Sequence, residues 1–346
     1  MPKQPGILII RFSAMGDVAM TAPVLKEFTG QYPAVKLTVV SRKLFAPFFN
    51  GIPGLQFHPF DPKGKHKGFF GLLKLFLELK ALDITAVADL HNNLRSRILG
   101  LLFFVLGIKT IRVDKARAEK KELTRKVNKV MKPLLPMTER YAAVFAKLGY
   151  PVSLSHQLHY LPANQLSPAL EKITGQQLNQ RWIGISPFAQ HLQKVYPLPK
   201  MEKVVLALAN LGHRLFIFGG GKEEEAIAAQ WAAQHLNITS VIGKVNLEQE
   251  LALISNLSLM VSMDSSGMHL ASLKGIPVVS IWGATHPNAG FLGYGQSMKD
   301  VVQTDLYCRP CSVYGNIPCY RGDFACMNNL SETIVITSII NKLDHG

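Results

Sequence analysis

Residues 7–25 read ILIIRFSAMGDVAMTAPVL. A short apolar run, Ile7 to Phe12, meets a small polar turn and then a helical pattern that settles over Thr21–Gln31. That order, strand then turn then helix, opens a βα unit, and the same alternation recurs along the chain. In the first half the predicted strands are Ile7–Phe12, Lys36–Ser41, Thr85–Leu90 and Thr110–Val113. Helical patterns lie between and after them at Thr21–Gln31, Phe69–Leu82, Leu94–Leu106 and Thr138–Leu148. After Gly149-Tyr150-Pro151 a polar, poorly periodic stretch to about Gln180 reads as a linker.

The pattern then restarts. Strands are expected at Trp182–Pro187, Arg214–Phe218, Ser240–Ile242, Leu259–Met263 and Pro277–Trp282. Helices are expected at Lys200–Leu211, Glu223–Leu236, Leu247–Ser255 and Ser266–Lys274. The fold class is therefore α/β, with two Rossmann-like doubly wound domains facing a central cleft, divided as 1–165 and 166–346. A chain of 346 residues is long enough for two cores of this kind. The composition, 48% hydrophobic and 18% charged, is that of a folded globular protein.

The formal net charge of +15 is unevenly placed. Residues 1–150 carry 25 Lys and Arg against 10 Asp and Glu, while the remainder is balanced at 13 against 13. A basic first half suits an anionic partner: nucleic acid, an acidic membrane surface or a phosphorylated substrate. Basic residues are not interleaved with a recognisable nucleic-acid motif, so no nucleic-acid partner is expected. Lys63, Lys65, Lys67 and Lys74 beside Phe69, Phe70, Leu72 and Leu73 form a basic and apolar edge suited to peripheral contact with a membrane, unless this helix simply faces the core. The opening Met-Pro-Lys-Gln-Pro runs directly into a first apolar segment containing Arg11, and the longest other apolar run, Ile98–Ile108, is short of the roughly 20 residues of a membrane span. A cytoplasmic protein is expected. Cys308, Cys311, Cys319 and Cys326, spaced C-x2-C-x7-C-x6-C, suggest a structural metal sooner than disulfides, although the spacing fits no standard zinc pattern; reduced buried thiols are the plain alternative.

In open α/β sheets the ligand sits outside the carboxyl ends of the strands, so the residues just after each strand carry the chemistry. Asp17 follows the first strand at a helix start, where an ionised carboxylate or a simple helix cap both fit. The segment ISPFAQHLQKVYPLPK, 184–200 without its first glycine, offers Ser186 and then Lys194, a point charge suited to diphosphate. In FGGGKEEE, Gly219–Gly221 permit a tight turn, and one of Glu223, Glu224 and Glu225 could accept bonds from ribose hydroxyls; neither a dinucleotide fingerprint nor a P-loop is present. In MDSSGMHLASLKGIPVVSIWGATHP a buried strand ends at Asp264, and Ser265, Ser266 and Gly267 lead into a helix bearing His269. The opening amides of such a helix suit a phosphate, whereas capping for Asp264 and Ser265 and a core position for His269 are the structural alternatives.

Taken together, IRFSAMGDVAMTAPVL, ADLHNNLRS, KVYPLPKMEKVV, FGGGKEEE and MDSSGMHLASLKGIPVVSIWGATHP resemble the heptosyltransferases of glycosyltransferase family 9, over nearly the whole chain. The late CRPC…C…GDFACM is similar to the cysteine-bearing tail of some members. The resemblance implies a GT-B fold, an acceptor-binding first domain and a second domain that binds the nucleotide sugar. It also implies inverting, metal-independent transfer of heptose from ADP-L-glycero-D-manno-heptose to the anionic inner core of a lipopolysaccharide precursor of the Kdo-lipid A type. Asp17 then matches the general base, and Lys194 and Ser186 match donor-phosphate contacts. Glu225 is placed at the ribose, and Asp264, Ser265 and His269, with Ser266 and Gly267 between, match the donor motif D-[TS]-G-x-x-H. Arg95, with Asn93, matches the acceptor side. This sequence departs from the motif in having Ser266 at its third position. The rivals are another nucleotide sugar or acceptor on the same fold, a basic nucleic-acid binder, and a catalytically dead relative.

Overall fold

The computed structural model describes residues 5–159, 161–176 and 180–345. The first four residues, and Tyr160 and residues 177–179 of the expected linker, lie outside the described residues. The chain forms two compact units, Met1–Lys115 with Leu135–Ser155, and Ala116–Leu134 with His156–Gly346. The main crossing therefore follows Ser155, ahead of the expected 165/166 division, and a basic strap, 116–134, is shared out to the second unit.

The first unit holds strands β1 (Gly6–Ile10), β2 (Lys36–Arg42), β3 (Leu55–Phe60), β4 (Ala86–Asp89) and β5 (Lys109–Arg112). They form one parallel sheet in the order β3-β2-β1-β4-β5. Helices α1 (Met15–Ala19), α2 (Thr21–Gln31), α3 (Gly68–Lys80) and α4 (Leu94–Val105) follow in chain order; α5 (Arg117–Leu123) lies in the strap, and α6 (Met137–Leu148) returns to the first unit. β1 is buried along its whole length, as a central parallel strand covered on both faces should be. Leu72, Leu75 and Leu79 of α3 and Leu99 and Phe103 of α4 pack on Leu8, Ile10 and Val87 of the sheet. Leu72, expected on the basic apolar edge, thus belongs to the core.

The second unit adds α7 (Pro168–Thr174), β6 (Trp182–Ser186), α8 (Leu198–Asn210), β7 (Arg214–Ile217), α9 (Lys222–Ala232) and β8 (Ile238–Ser240). It continues through α10 (Leu247–Ile254), β9 (Leu259–Met263), α11 (Ser266–Leu273), β10 (Val278–Trp282), β11 (Val301–Gln303), α12 (Ala325–Asn328) and α13 (Glu332–His345). Its sheet is again parallel, in the order β11-β10-β9-β6-β7-β8. Ile183, Ile185, Val261, Met263, Val279 and Ile281 meet the helices, α13 included, in one core.

Both sheets have a topological switch point, between β1 and β4 in one and between β6 and β9 in the other. That is where crossovers leave in opposite directions and a crevice opens for ligand. Among the described residues no helix is long and apolar enough to cross a membrane.

Candidate functional site

In the first unit the chain leaves β1 through Arg11, which is 5% exposed, and enters α1. Asp17 is the third residue of α1, not its cap. Its Oδ2 takes an ion pair from Arg11 Nη2 at 2.6 Å and a longer hydrogen bond from the Ala14 N–H at 3.4 Å. The helix-start and ion-pair roles therefore coincide. Arg11 Nη1 donates to Leu90 O at 2.6 Å, which fixes the guanidinium between the ends of β1 and β4. Burial opposes its charge, but Tyr141, Asp17 and Asp89 outweigh it and hold the pKa above the ordinary value.

At the end of β4 the buried Asp89 carboxylate accepts from the His91 and Asn92 N–H groups and from Ser96 Oγ. Burial nevertheless raises its pKa. His91 Nδ1 accepts from the Phe12 N–H at 3.1 Å. Burial, then the nearby charges of Arg11 and Lys115, push this imidazole down to about 3, so it is neutral at physiological pH. Asn93 is the N-cap of α4: its Oδ1 accepts from the Ser96 N–H at 2.9 Å, and its amide nitrogen stands 3.1 Å from His91 Nε2. Capping thus accounts for Asn93 locally. Arg95 is exposed in the first turn of α4, on the same sheet edge as Asp17.

In the second unit the candidates gather at the β6/β9 switch point. Lys194, at the end of a short 3-10 turn Leu192–Lys194, places Nζ 2.8 Å from Asp264 Oδ2, and both side chains are largely buried. Asp264 follows β9, and Ser265 and Ser266 open α11. Ser265 has an extended backbone, and no side chain caps the helix; its hydroxyl lies 3.4 Å from Ser262 Oγ instead. Capping is therefore not the role of Ser265. Gly267 is set by close approach, because a Cβ there would collide with Ser186 Oγ and Cβ at the end of β6. This packing brings Ser186 against the start of α11. His269 is buried on the same helix.

The acidic turn of α9 divides. Glu224 Oε2 accepts from the Gly220 N–H at 2.8 Å and closes the glycine turn. Glu223 and Glu225 are exposed, and Glu225 overhangs the Gly243 turn after β8. Beyond β10, Arg309 is 3% exposed and donates to the carbonyls of Trp282, Gly283, Thr285 and Thr304 and to Gln303 Oε1. It ties the cysteine-bearing segment to the β10 end. Burial, with Arg309 nearby, lowers the His286 pKa to about 4. A crevice of about 780 Å³ opens there, lined by Lys126, Lys129, His286, Gln303, Asp305 and Tyr307 among others, with neither Lys194 nor Asp264 in its lining.

All four cysteines are free thiols. Burial pushes Cys326 up to about 11 and raises Cys311. Among the described residues no group of three or more His, Cys, Asp and Glu is placed to hold a metal ion; Cys308 and Cys326 are buried, and Cys311 and Cys319 are half-buried.

Arg11, His91 and Arg309 are the residues that sequence reasoning passed over. The signal for Arg11 was present, a lone charge at the end of an otherwise apolar strand.

Residues 72–318 match the profile of glycosyltransferase family 9 (heptosyltransferase). The chain belongs to that family. As a family 9 glycosyltransferase it is 26% identical over 291 residues to the lipopolysaccharide core heptosyltransferase OpsX of Haemophilus influenzae, covering 81% of this chain and 80% of that protein. It is also 26% identical to lipopolysaccharide heptosyltransferase 2 of Escherichia coli K12, covering 82% and 84%. Among solved structures, a family 9 glycosyl transferase from Veillonella parvula matches with a TM-score of 0.73 at 19% identity, over 100% of this chain and 99% of that one. The E. coli heptosyltransferase WaaC with ADP matches at 0.69 and 20% identity, over 97% and 99%. These likenesses show that this family 9 enzyme has the GT-B fold of two parallel-sheet α/β domains.

Proposed function

We propose that this glycosyltransferase moves heptose from ADP-L-glycero-D-manno-heptose to the anionic inner core of a lipopolysaccharide precursor, inverting the anomeric centre without a catalytic metal. What carries the reading is Lys194, held 2.8 Å from Asp264 beside the start of α11, which no side chain caps: a lysine ammonium and helix-start amides are the groups that a leaving diphosphate needs. The names of the relatives support the donor and acceptor class. In the reaction, the acceptor oxygen attacks the anomeric carbon as Asp17 takes its proton, and the bond to the diphosphate oxygen breaks. Arg11 orients that carboxylate. Lys194, His269 and the amides after Ser265 stabilise the charge that collects on departing ADP, Ser186 contacts the phosphates, and Glu225 accepts from the ribose hydroxyls. Arg95, and Asn93 beside it, face the acceptor charges. The enzyme works on the cytoplasmic side of the inner membrane.

A second reading, another nucleotide sugar on the same fold, is favoured by one observation: the residues at the cradle address a diphosphate and say little about the base or sugar. Thermal shift separates the two. A nucleotide held at 100 times its Kd stabilises the fold by about 2.7 kcal/mol. ADP is expected to raise Tm and to lose that effect in Lys194→Ala; a larger shift with UDP or GDP would replace the donor assignment.

A further inference from the structure

The outer face of the α3/α4 layer in the first unit is apolar where the sequence of a water-facing surface should be polar. α3 buries Leu72, Leu75 and Leu79, and Phe70, Leu73, Lys74 and Leu77 form its opposite stripe. Phe70 is 83% and Leu77 62% exposed. α4 repeats the arrangement. It buries Leu99 and Phe103 and turns Leu94, Leu101, Phe104 and Val105 outward, with Leu94 and Val105 at 75%. The helices are neighbours, with Phe76 and Phe103 in edge contact at 5.1 Å, so the two stripes lie side by side. Scattered exposed leucines are ordinary, but a run of aromatic and aliphatic side chains along two packed helices marks a contact surface.

Charge selects the occupant. Lys63, Lys67, Lys74, Lys80, Arg97 and Lys109 are exposed on or beside these helices. Of the acidic groups nearby, Glu78 pairs with Lys65, His58 and His66, the Asp61 carboxylate accepts from three backbone N–H groups of its own loop, and Asp83 lies beyond the C-terminal end of α3. Aromatic side chains inside a lysine border complement an anionic lipid surface, where the apolar groups enter the headgroup boundary and the ammonium groups meet phosphates. The sheet is parallel, so the N-terminal ends of both helices, with Phe69, Phe70 and Leu94, stand at the edge that also carries Asp17 and Arg11. We propose that α3 and α4 together form a docking face for an anionic bilayer, lying along the membrane with Phe70, Leu77 and Phe104 inserted.

The proposal is independent of the donor assignment, and its test uses no sugar chemistry. Full-length protein is sedimented with vesicles of phosphatidylcholine alone or with 30% phosphatidylglycerol. Binding is expected only with the anionic lipid, to fall at least tenfold between low and high salt, and to fall at least tenfold in the triple variant Phe70→Ser, Leu77→Ser, Phe104→Ser with its melting curve unchanged. Lys67→Glu with Lys74→Glu gives a second variant that leaves the apolar stripe whole, and it too should lose binding to anionic vesicles. Equal binding to neutral vesicles, or retention by either variant, would overturn the proposal. So would a dimer in solution that the triple variant dissolves while vesicle binding persists, since a second copy of the chain would then be the occupant.

Discussion

Asp17 is held by a buried arginine, and that pairing makes its role testable apart from donor binding. Asp17→Ala should lower the transfer rate by at least about 100-fold while ADP affinity stays within a few fold, as measured by steady-state kinetics and calorimetric titration. A rate loss matched by an equal affinity loss would place Asp17 in donor binding instead. His91 gives a prediction of another kind. Burial and the neighbouring cations hold it at about 3, below an unfolded value of about 6.5. Above that value both states carry it neutral; below it the unfolded chain takes up a proton that the folded chain refuses. Stability should therefore fall as pH drops from about 6.5 towards 3, by about 2 kcal/mol at pH 5 from this one group. In denaturant titrations of the first unit's unfolding at pH 7 and pH 5, His91→Gln should show the smaller loss; an unchanged difference would remove His91 as the cause.

At the scale of elements, the turn where β6, β9 and α11 meet depends on the absence of a side chain at Gly267. Gly267→Ala drives a methyl group into Ser186, and overpacking of this kind typically costs about 1–3 kcal/mol. The variant should melt lower and bind ADP less well, and adding Ser186→Gly should restore most of the Tm, Ser262 Oγ at 3.0 Å being the next atom the methyl meets; no gain at all from the second change would show that the Ser186 contact is not the constraint. Most elements were legible in the sequence because continuous apolar runs and helical spacing announce themselves. The misses have local reasons. β3 contains Pro59, which argues against a strand, yet β3 is a sheet edge where a missing N–H is tolerated. β8 runs Ile238–Ser240 and not Ser240–Ile242, because Val241 and Ile242 continue the apolar run beyond the end of pairing. α7 is a short helix inside the expected linker, started by a Ser167 cap and Pro168. The position of the candidate residues just after strands was legible in the sequence; the Arg11–Asp17 and Lys194–Asp264 pairs were not, since such pairing depends on how side chains meet in the fold and leaves no spacing to read.

For the whole molecule, charge and the two switch points set the units apart: the first unit carries 18 Lys and Arg against 8 Asp and Glu and holds a carboxylate at its β1/β4 edge, whereas the second carries 20 against 15, its excess coming from the strap 116–134, and holds the Lys194–Asp264 pair at its β6/β9 edge. Association with an anionic acceptor should then weaken with salt, so kcat/KM is expected to fall several-fold between 50 and 300 mM NaCl while kcat changes little. A salt-independent kcat/KM would detach the charge of the first half from acceptor capture. The central claim concerns what is transferred. Purified protein is incubated with a deacylated Kdo-bearing lipopolysaccharide acceptor and, separately, ADP-heptose or a panel of UDP- and GDP-sugars, and the acceptor is weighed by mass spectrometry. The account predicts a gain of one heptose from ADP-heptose alone, abolished in Asp17→Asn; an acceptor unchanged by ADP-heptose but extended by another nucleotide sugar would contradict it.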